Sequence, residues 1–523
     1  VLESLDEGCS ITRIPIPDGD EHKRRLYRVA VPRAPGVYQP VVHYDCIHNQ
    51  IRAVHNRVCG VVPKPTREGV AVLRKFAEEI GRTLPPTCAE DIYALAKRHT
   101  GAKARRYRDA ADAYCVEGLF PRDSHIKMFV KPERMDPSAK VDPDPRAIQF
   151  RGAKYCVVLA SFLRPIEELL YQYDRASDGV PCSRNVAKGL NAVDRAELLH
   201  RKMQGFRSPV VFSCDASRFD KHVDVALLDL EHLVYKKSNN DAMFAKLLSL
   251  QKTNKCFSSL GMAYKVRGRR MSGDMNTAIG NVVLMLIMIT AYCRGIIELT
   301  TWDCLDDGDD LIVIVESEDA PRFQGCFVSS FLTFGMEMKL DAPVASIHQV
   351  VFCQSCVVEY APERYKFVRD FRAVVSKSTS GVRNWAVPKF RTRVIHAVGL
   401  CELVLNLGVP VLQSYALCLL RNSKGDNDPL RHAPDGLRAR AMRDAKYIGI
   451  KDVSATRPVE VQMCARESFA IAFNCDIVEQ HRLEQFFDQW VFDLNVVEDY
   501  GQEIHAPSWT KAMSTCEVYP FLE

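Results

Sequence analysis

Cys304-Leu305-Asp306-Asp307-Gly308-Asp309-Asp310-Leu311-Ile312-Val313-Ile314-Val315 carries an apolar run into a tight acidic turn and a wholly apolar run out of it. The pattern predicts a β-hairpin whose second strand is buried on both faces, because an unbroken apolar run leaves neither side of a strand for water. The carboxylates sit at the tip. Asp and Gly are favoured in such a turn for backbone reasons alone, so an acidic solvated hairpin is the plain alternative. Its company decides the matter. Asp215-Ala-Ser-Arg-Phe-Asp220 directly follows the strand-like Val210-Val211-Phe212-Ser213-Cys214, and Ser272-Gly273-Asp274-Met275-Asn276-Thr277 precedes a long apolar helix. Together the three stretches point to metal-dependent nucleotidyl transfer.

With 523 residues, 47% of them hydrophobic and 26% charged, the chain can bury a large core. A formal charge of +5 is too mild to imply nucleic acid by itself, so any basic footprint has to be local. The 19 cysteines are scattered, and Cys353 to Cys356 is the one C-x-x-C. A zinc site is not expected, and reduced thiols are the default. The longest apolar stretch, Val282 to Cys293, is closed by Arg294 and reads as too short to span a bilayer, so no transmembrane segment is expected. Opening on Val1 rather than Met, the sequence reads as continuing upstream, where any membrane anchor would lie.

Residues 1 to 60 mix extended runs, Pro-rich turns and a basic patch at His22-Lys23-Arg24-Arg25, and read as a connecting region. Thr66 is placed to cap a helix with Val70, Leu73, Phe76 and Ile80 inward and Gly81 at its end. Thr87 and Glu90 have capping-box spacing, which predicts a second helix there carrying Ile92, Leu95 and Ala96, broken by Gly101. The following run, with Lys103, Arg105, Arg106 and Arg108, is a solvated or phosphate-facing helix. Ile126 to Arg134 alternates as a strand, with Lys127 and Lys131 on one side; Asp142-Pro-Asp-Pro145 forces a turn, and Arg146 to Arg151 returns with two more cations. That basic hairpin suits a triphosphate path, its rival being an edge strand protected by lysines. Asn191 begins a helix through Leu198 and Leu199.

Beyond Asp220, Val225 to Tyr235 and Ala242 to Leu250 have helical spacing. No acidic residue occurs between Lys252 and Arg270, while Lys255, Lys265, Arg267, Arg269 and Arg270 interleave with Phe257 and Tyr264. Cations for phosphates and rings for bases are what single-stranded nucleic acid binding uses. Gly273 then offers close backbone approach to a ligand. Thr277 and Asn281 share a helix face, opposite a buried face of Ile279, Val282, Val283 and Leu286.

In Lys188-Gly-Leu-Asn191, Asp215 to His222, Gly268 to Thr277, Gly308-Asp-Asp310 and Phe352-Cys-Gln-Ser355, the chain resembles the RNA-dependent RNA polymerases of positive-strand RNA viruses, most of all the tombusvirus-like group. The ordered set is far more specific than any member, and it runs from about Phe120 to about Gly381. The resemblance implies an α+β fold of closed right-hand type. Its palm, an antiparallel sheet with helices, would hold residues 209–222 and 272–376. Fingers would take 1–208 and the insertion 223–271, and a mainly helical thumb the remainder, 377–523, with helices near Phe390 to Leu420, Pro434 to Tyr447 and Val478 to Phe492.

The resemblance also implies copying of single-stranded RNA from NTPs into nascent RNA, with release of pyrophosphate. Partners would include a viral replication protein and the host membrane, reached through sequence outside this chain, in membrane-associated replication complexes of the host cytoplasm. Such in-line displacement suits two Mg²⁺ ions, with Mn²⁺ as a substitute, because hard oxygen ligands hold them and charge stabilisation does most of the work. Asp215 and Asp309 at adjacent strand ends would share both ions with Asp310. Lys131, Arg146 and Arg151 would line the triphosphate path. Asp220, Ser272, Thr277 and Asn281 would face the ribose, and Lys339, where the family has a palm lysine, would assist the leaving group. Lys127, Lys265, Arg267, Arg269, Arg270 and Gly273 would contact RNA. A DNA-making enzyme would guard against the 2′-hydroxyl with bulk, whereas Asp220 and Asn281 are suited to bind it; a non-catalytic RNA-binding scaffold would not need the three aspartates.

Overall fold

The computed structural model describes residues 2–15, 26–32, 34–43, 45–139, 142–174, 180–382, 385, 387–494 and 498–499. The patch His22 to Arg25 lies outside them. The fold is α+β, and its organising element is a four-stranded antiparallel sheet in the order Met338–Leu340, Pro209–Ala216, Asp310–Glu316, Trp302–Asp306. The hairpin read from the sequence forms, and every residue of Leu311 to Glu316 is buried. Successive side chains point to opposite faces. Leu311, Val313 and Val315 accordingly join one core with Phe212, Cys214 and the apolar helix, while Ile312 and Ile314 join another with Leu198, Leu199, Phe352 and Phe367.

The helix Thr277–Thr290 continues as a wider turn through Ala291–Ile296. At 20 residues it is long and apolar enough to cross a membrane, so the length argument from sequence fails; yet 83% of its apolar window is buried inside the protein, which makes it a core helix. It is not two-faced either, since Ile279 to Cys293 is buried all round.

A second sheet has the order Cys9–Arg13, Ala263–Arg267, Thr253–Ser258, Ile126–Val130, Ala147–Phe150, antiparallel except where Thr253–Ser258 meets Ile126–Val130. Its inner face packs Met128, Cys256, Tyr264 and Val266, and the amino-terminal segment, read as a connector, supplies an edge strand. A third unit begins with a hairpin of Ser355–Ala361 and Arg364–Arg369. Around it pack Pro388–Leu405, Leu412–Arg421, Asp435–Tyr447, Met463–Phe473 and Ile477–Gln489, on a separate core.

Thr66 caps Arg67–Thr83 as expected, but the helix runs past Gly81, where a side chain would strike Lys237 of the neighbouring helix Val225–Ser238. Thr87 and Glu90 cap nothing. Their N–H groups donate to the Ser238 and Ser161 carbonyls, and only Ala94–Lys97 is helical before Gly101 opens the basic helix Gly101–Glu117. Asn191 caps Ala192–Gln204 by accepting from the Asp194 N–H.

Candidate active site

The hairpin turn needs φ = +99° at Gly308, a conformation that glycine adopts without steric cost. Buried Asp306 braces it, accepting the Gly308 N–H at 2.7 Å; burial pushes the Asp306 carboxyl well above the usual range. Asp309 then projects exposed at the tip. Asp310 pairs directly across the sheet with Asp215, and Asp215 with Lys339. Directly opposed residues of antiparallel strands share a face. Asp310, Asp215 and Lys339 therefore form a row across three strands, with Asp309 beside it. Burial, then Asp309, then Asp215 push the Asp310 carboxyl up to about 6. Mutual repulsion of this kind is what a bound cation relieves.

The donor set is carboxylate oxygen, which fits Mg²⁺. Among the described residues no three Asp, Glu, His or Cys side chains are already gathered as a metal cage. Mg²⁺ held by Asp215, Asp309 and Asp310 would keep coordination positions for phosphate and water, as it commonly does. Behind the tip, Asp307 is held by Lys188 at 2.9 Å and Arg195 at 3.1 Å, and the Cys353 thiol donates to it at 3.1 Å. Burial opposes ionisation of Asp307, but Arg195 and Lys188 outweigh it and keep the carboxyl below its ordinary value.

Asp220 and Asn281 are brought together: Asn281 Nδ2 donates to Asp220 Oδ1 at 3.0 Å. Burial raises the Asp220 carboxyl, against Asn281 and Arg270. The other proposed ribose contacts are engaged elsewhere. Ser272 Oγ donates to the Ala147 carbonyl and accepts from Gln149 N–H. Thr277 Oγ1 donates to the Met271 and Asp274 carbonyls, closing its own loop. Gly273 is small for a different reason than proximity to RNA: its N–H bonds the Gln149 carbonyl at 2.7 Å, and a Cβ would lie 2.5 Å from that oxygen.

Lys131 and Arg146 are accessible and share Glu133, at 3.4 and 3.3 Å. Arg151 is not on that path. It is 1% exposed, and its guanidinium binds both oxygens of Asp274, the Asn254 amide oxygen and the Ser124 carbonyl. Such a group braces the loop beneath Ser272-Gly273 and cannot reach a ligand without unfolding its surroundings. The basic run divides in the same way. Lys127, Lys265 and Arg267 are exposed with Lys255 and Phe257 on the outward face of the five-stranded sheet. Arg269 and Arg270 are buried: Arg269 binds Asp6 and the Val58 and Gly60 carbonyls, and Arg270 binds Glu231 and Asn281. Neither can contact RNA from there.

Sequence reading missed the acidic partners of these cations, Asp6, Glu231 and Asp274, and also the cluster of Lys188, Arg195 and Cys353 behind the tip. The partners lie up to 263 residues away in the chain, and no spacing rule connects them. A signal existed for Lys188, Asp274 and Cys353, which fall inside quoted motifs.

The structure thus combines an antiparallel sheet bearing aspartates at adjacent strand ends, a Ser-Gly loop and the polar pair Asp220 and Asn281. The chain belongs to the viral RNA dependent RNA polymerase family, whose model matches residues 14–495. Similarity therefore reaches well beyond the Phe120 to Gly381 window. The chain is 32% identical over 465 residues to the RNA-directed RNA polymerase of Groundnut rosette virus (strain MC1), covering 86% of this chain and 52% of that one. With those of Cymbidium ringspot virus and Tomato bushy stunt virus (strain Cherry) it is 31% identical, over 93% of this chain and 58% of each relative. The chain spans about half the length of the curated relatives it matches.

Proposed function

We propose that this chain is the catalytic part of an RNA-directed RNA polymerase, copying single-stranded RNA templates into nascent RNA from NTPs. The observation that carries the reading is the row Asp310, Asp215, Lys339 with Asp309 exposed at its end. Two Mg²⁺ ions bound there would activate the primer hydroxyl and neutralise the triphosphate. Asp215 and Asp309 position the ions from two strands, and Asp310 adds charge across the sheet. Lys131 and Arg146 draw in the triphosphate from an accessible hairpin. Lys339, exposed next to Asp215, gives a proton to, or neutralises, the departing pyrophosphate. Asp220 and Asn281 read the 2′-hydroxyl, which both donates and accepts. Lys127, Lys265 and Arg267, with Phe257 between them, offer RNA a basic face bearing a ring.

In this reading the four-stranded sheet is the palm, spanning 209–222 and 272–376. The five-stranded sheet belongs to fingers built from 1–208 and 223–271, and the helices after 376 form the thumb. A viral replication protein and host membranes are the proposed partners, in a cytoplasmic replication complex. The test is extension of a primed single-stranded RNA by the purified chain with NTPs and Mg²⁺. Template-directed incorporation supports the reading, and RNA binding without incorporation in Mg²⁺ or Mn²⁺ would leave only a scaffold.

A further inference from the structure

Arg270 touches nothing outside the protein, yet it is bound to both members of the sugar-facing pair. Its N–H donates to the Asp220 carbonyl at 2.9 Å, and its Nε–H donates to Asn281 Oδ1 at 3.0 Å. The outer guanidinium nitrogens bind the two oxygens of Glu231, which is itself fixed by Tyr235 OH at 2.9 Å and Asn276 Nδ2 at 2.7 Å. Arg270 and Glu231 are 2% and 0% exposed. Room for the ion pair is made by Gly280, where a Cβ would stand 2.5 Å from both Arg270 Nη2 and Glu231 Oε1. Arg270 thus enters the site from beneath, through the helix that carries Asn281.

A primary amide is nearly symmetric in shape and can present either its oxygen or its NH₂ to a neighbour. A guanidinium only donates. Asn281 must therefore turn its oxygen to Arg270, which leaves its NH₂ facing Asp220, and Asp220 accepts at 3.0 Å. Were the amide reversed, its oxygen would face a carboxylate, and the pair would repel instead of forming one polar unit. Gly308 closes the arrangement from the other side: a Cβ there would lie 3.2 Å from Asn281 Cβ, so the amide sits directly beneath the metal-site turn.

The geometry points to Arg270 as a positioning residue for sugar selection, setting the polarity of the Asn281 amide so that Asp220 and Asn281 present a fixed acceptor and donor to the ribose 2′-hydroxyl. This rests on the polymerase reading above. Arg270 acts entirely through Asn281, so its effect on sugar choice disappears when Asn281 is absent.

The experiment measures kcat/KM for one NTP and its 2′-deoxy form on a primed RNA in wild type, Asn281→Ala, Arg270→Lys and the double variant. The ratio of the two substrates does not depend on what fraction of a preparation is folded, so a stability loss at the buried pair leaves it readable. Lysine keeps the charge opposite Glu231 but puts all its donors on one nitrogen, so it does not reproduce the separate Nε contact to Asn281 and outer-nitrogen contacts to Glu231 of the planar guanidinium. Arg270→Lys should lower the ribose preference about 10-fold, as expected when one hydrogen bond is lost from a polar recognition site. In the double variant the preference should equal that of Asn281→Ala alone, the non-additivity of residues acting as one unit. An unchanged preference in Arg270→Lys, with preference lost in Asn281→Ala, overturns the role of Arg270 and leaves the polymerase reading intact. Additive losses in the double variant also overturn it. Absence of ribose preference in the wild type, or absence of incorporation, refutes the reading on which the inference stands.

Discussion

Arg151→Leu should cost stability rather than nucleotide affinity. The side chain is 1% exposed, and its partner Asp274 is 8% exposed. Removing the guanidinium strands that carboxylate in the interior together with the Asn254 oxygen and the Ser124 carbonyl. Removing one partner of a buried ion pair costs about 3 to 5 kcal/mol. At about 2.1 cal/mol/K of melting entropy per residue, a loss of 4 kcal/mol lowers Tm by roughly 4 °C if the whole chain melts as one unit, and by roughly 10 °C if a unit of about 200 residues melts alone. On an Asp274→Asn background the same change should cost less, because no charge is left unpaired. The assay is thermal melting of the four proteins, combined with KM for NTP measured per active molecule. A wild-type Tm with a raised KM for NTP in Arg151→Leu would refute the reasoning, since it would put the guanidinium on the triphosphate path after all.

Alanine at Lys131 or Arg146 should raise KM for NTP several-fold while leaving Tm within about 1 °C, because exposed pairs contribute little to stability; melting curves and steady-state kinetics check both. Lys339→Ala should lower the single-turnover rate about 10- to 100-fold, and an unchanged rate would remove its role at the leaving group. Gly308→Ala should slow incorporation, since φ = +99° strains any side chain and a Cβ would crowd Asn281 Cβ at 3.2 Å, and primer extension reads it. Asp310, pushed up to about 6, is protonated below that pH and charged above it. A raised carboxyl pKa means that, without metal, ionisation costs stability as pH rises through about 6. Mg²⁺ should therefore raise Tm more at pH 8 than at pH 5.

Much of this architecture was legible in the chain. Leu311 to Val315 predicted a doubly buried strand because an apolar run has only one way to avoid water in a sheet. Thr66 and Asn191 predicted helix starts because a capping oxygen needs only local geometry. Thr87 and Glu90 failed for the complementary reason: their N–H groups are claimed by Ser238 and Ser161, far away in sequence. The site divides along the same line. Asp215, Asp309 and Asp310 lie where strand ends and a turn dictate. By contrast, Arg151, Arg269 and Arg270 are identical in type to solvent-facing arginines until Asp274, Asp6 and Glu231 are brought to them. Alternation alone would have sent Arg269 outward, since it shares the parity of Lys265 and Arg267; it turns inward because it lies past the end of their strand, at φ = +69°.

Ion binding by the aspartates at two adjacent strand ends is proposed to drive nucleotide incorporation. Its most direct test compares wild type with Asp309→Asn, an isosteric change at an exposed position, in Mg²⁺-dependent extension of a primed RNA and in RNA affinity measured on the same preparations. Extension should fall at least about 100-fold, the scale of losing a group that stabilises transition-state charge, with RNA affinity within about two-fold of wild type. Extension at the wild-type rate in Asp309→Asn would contradict this role for the aspartates.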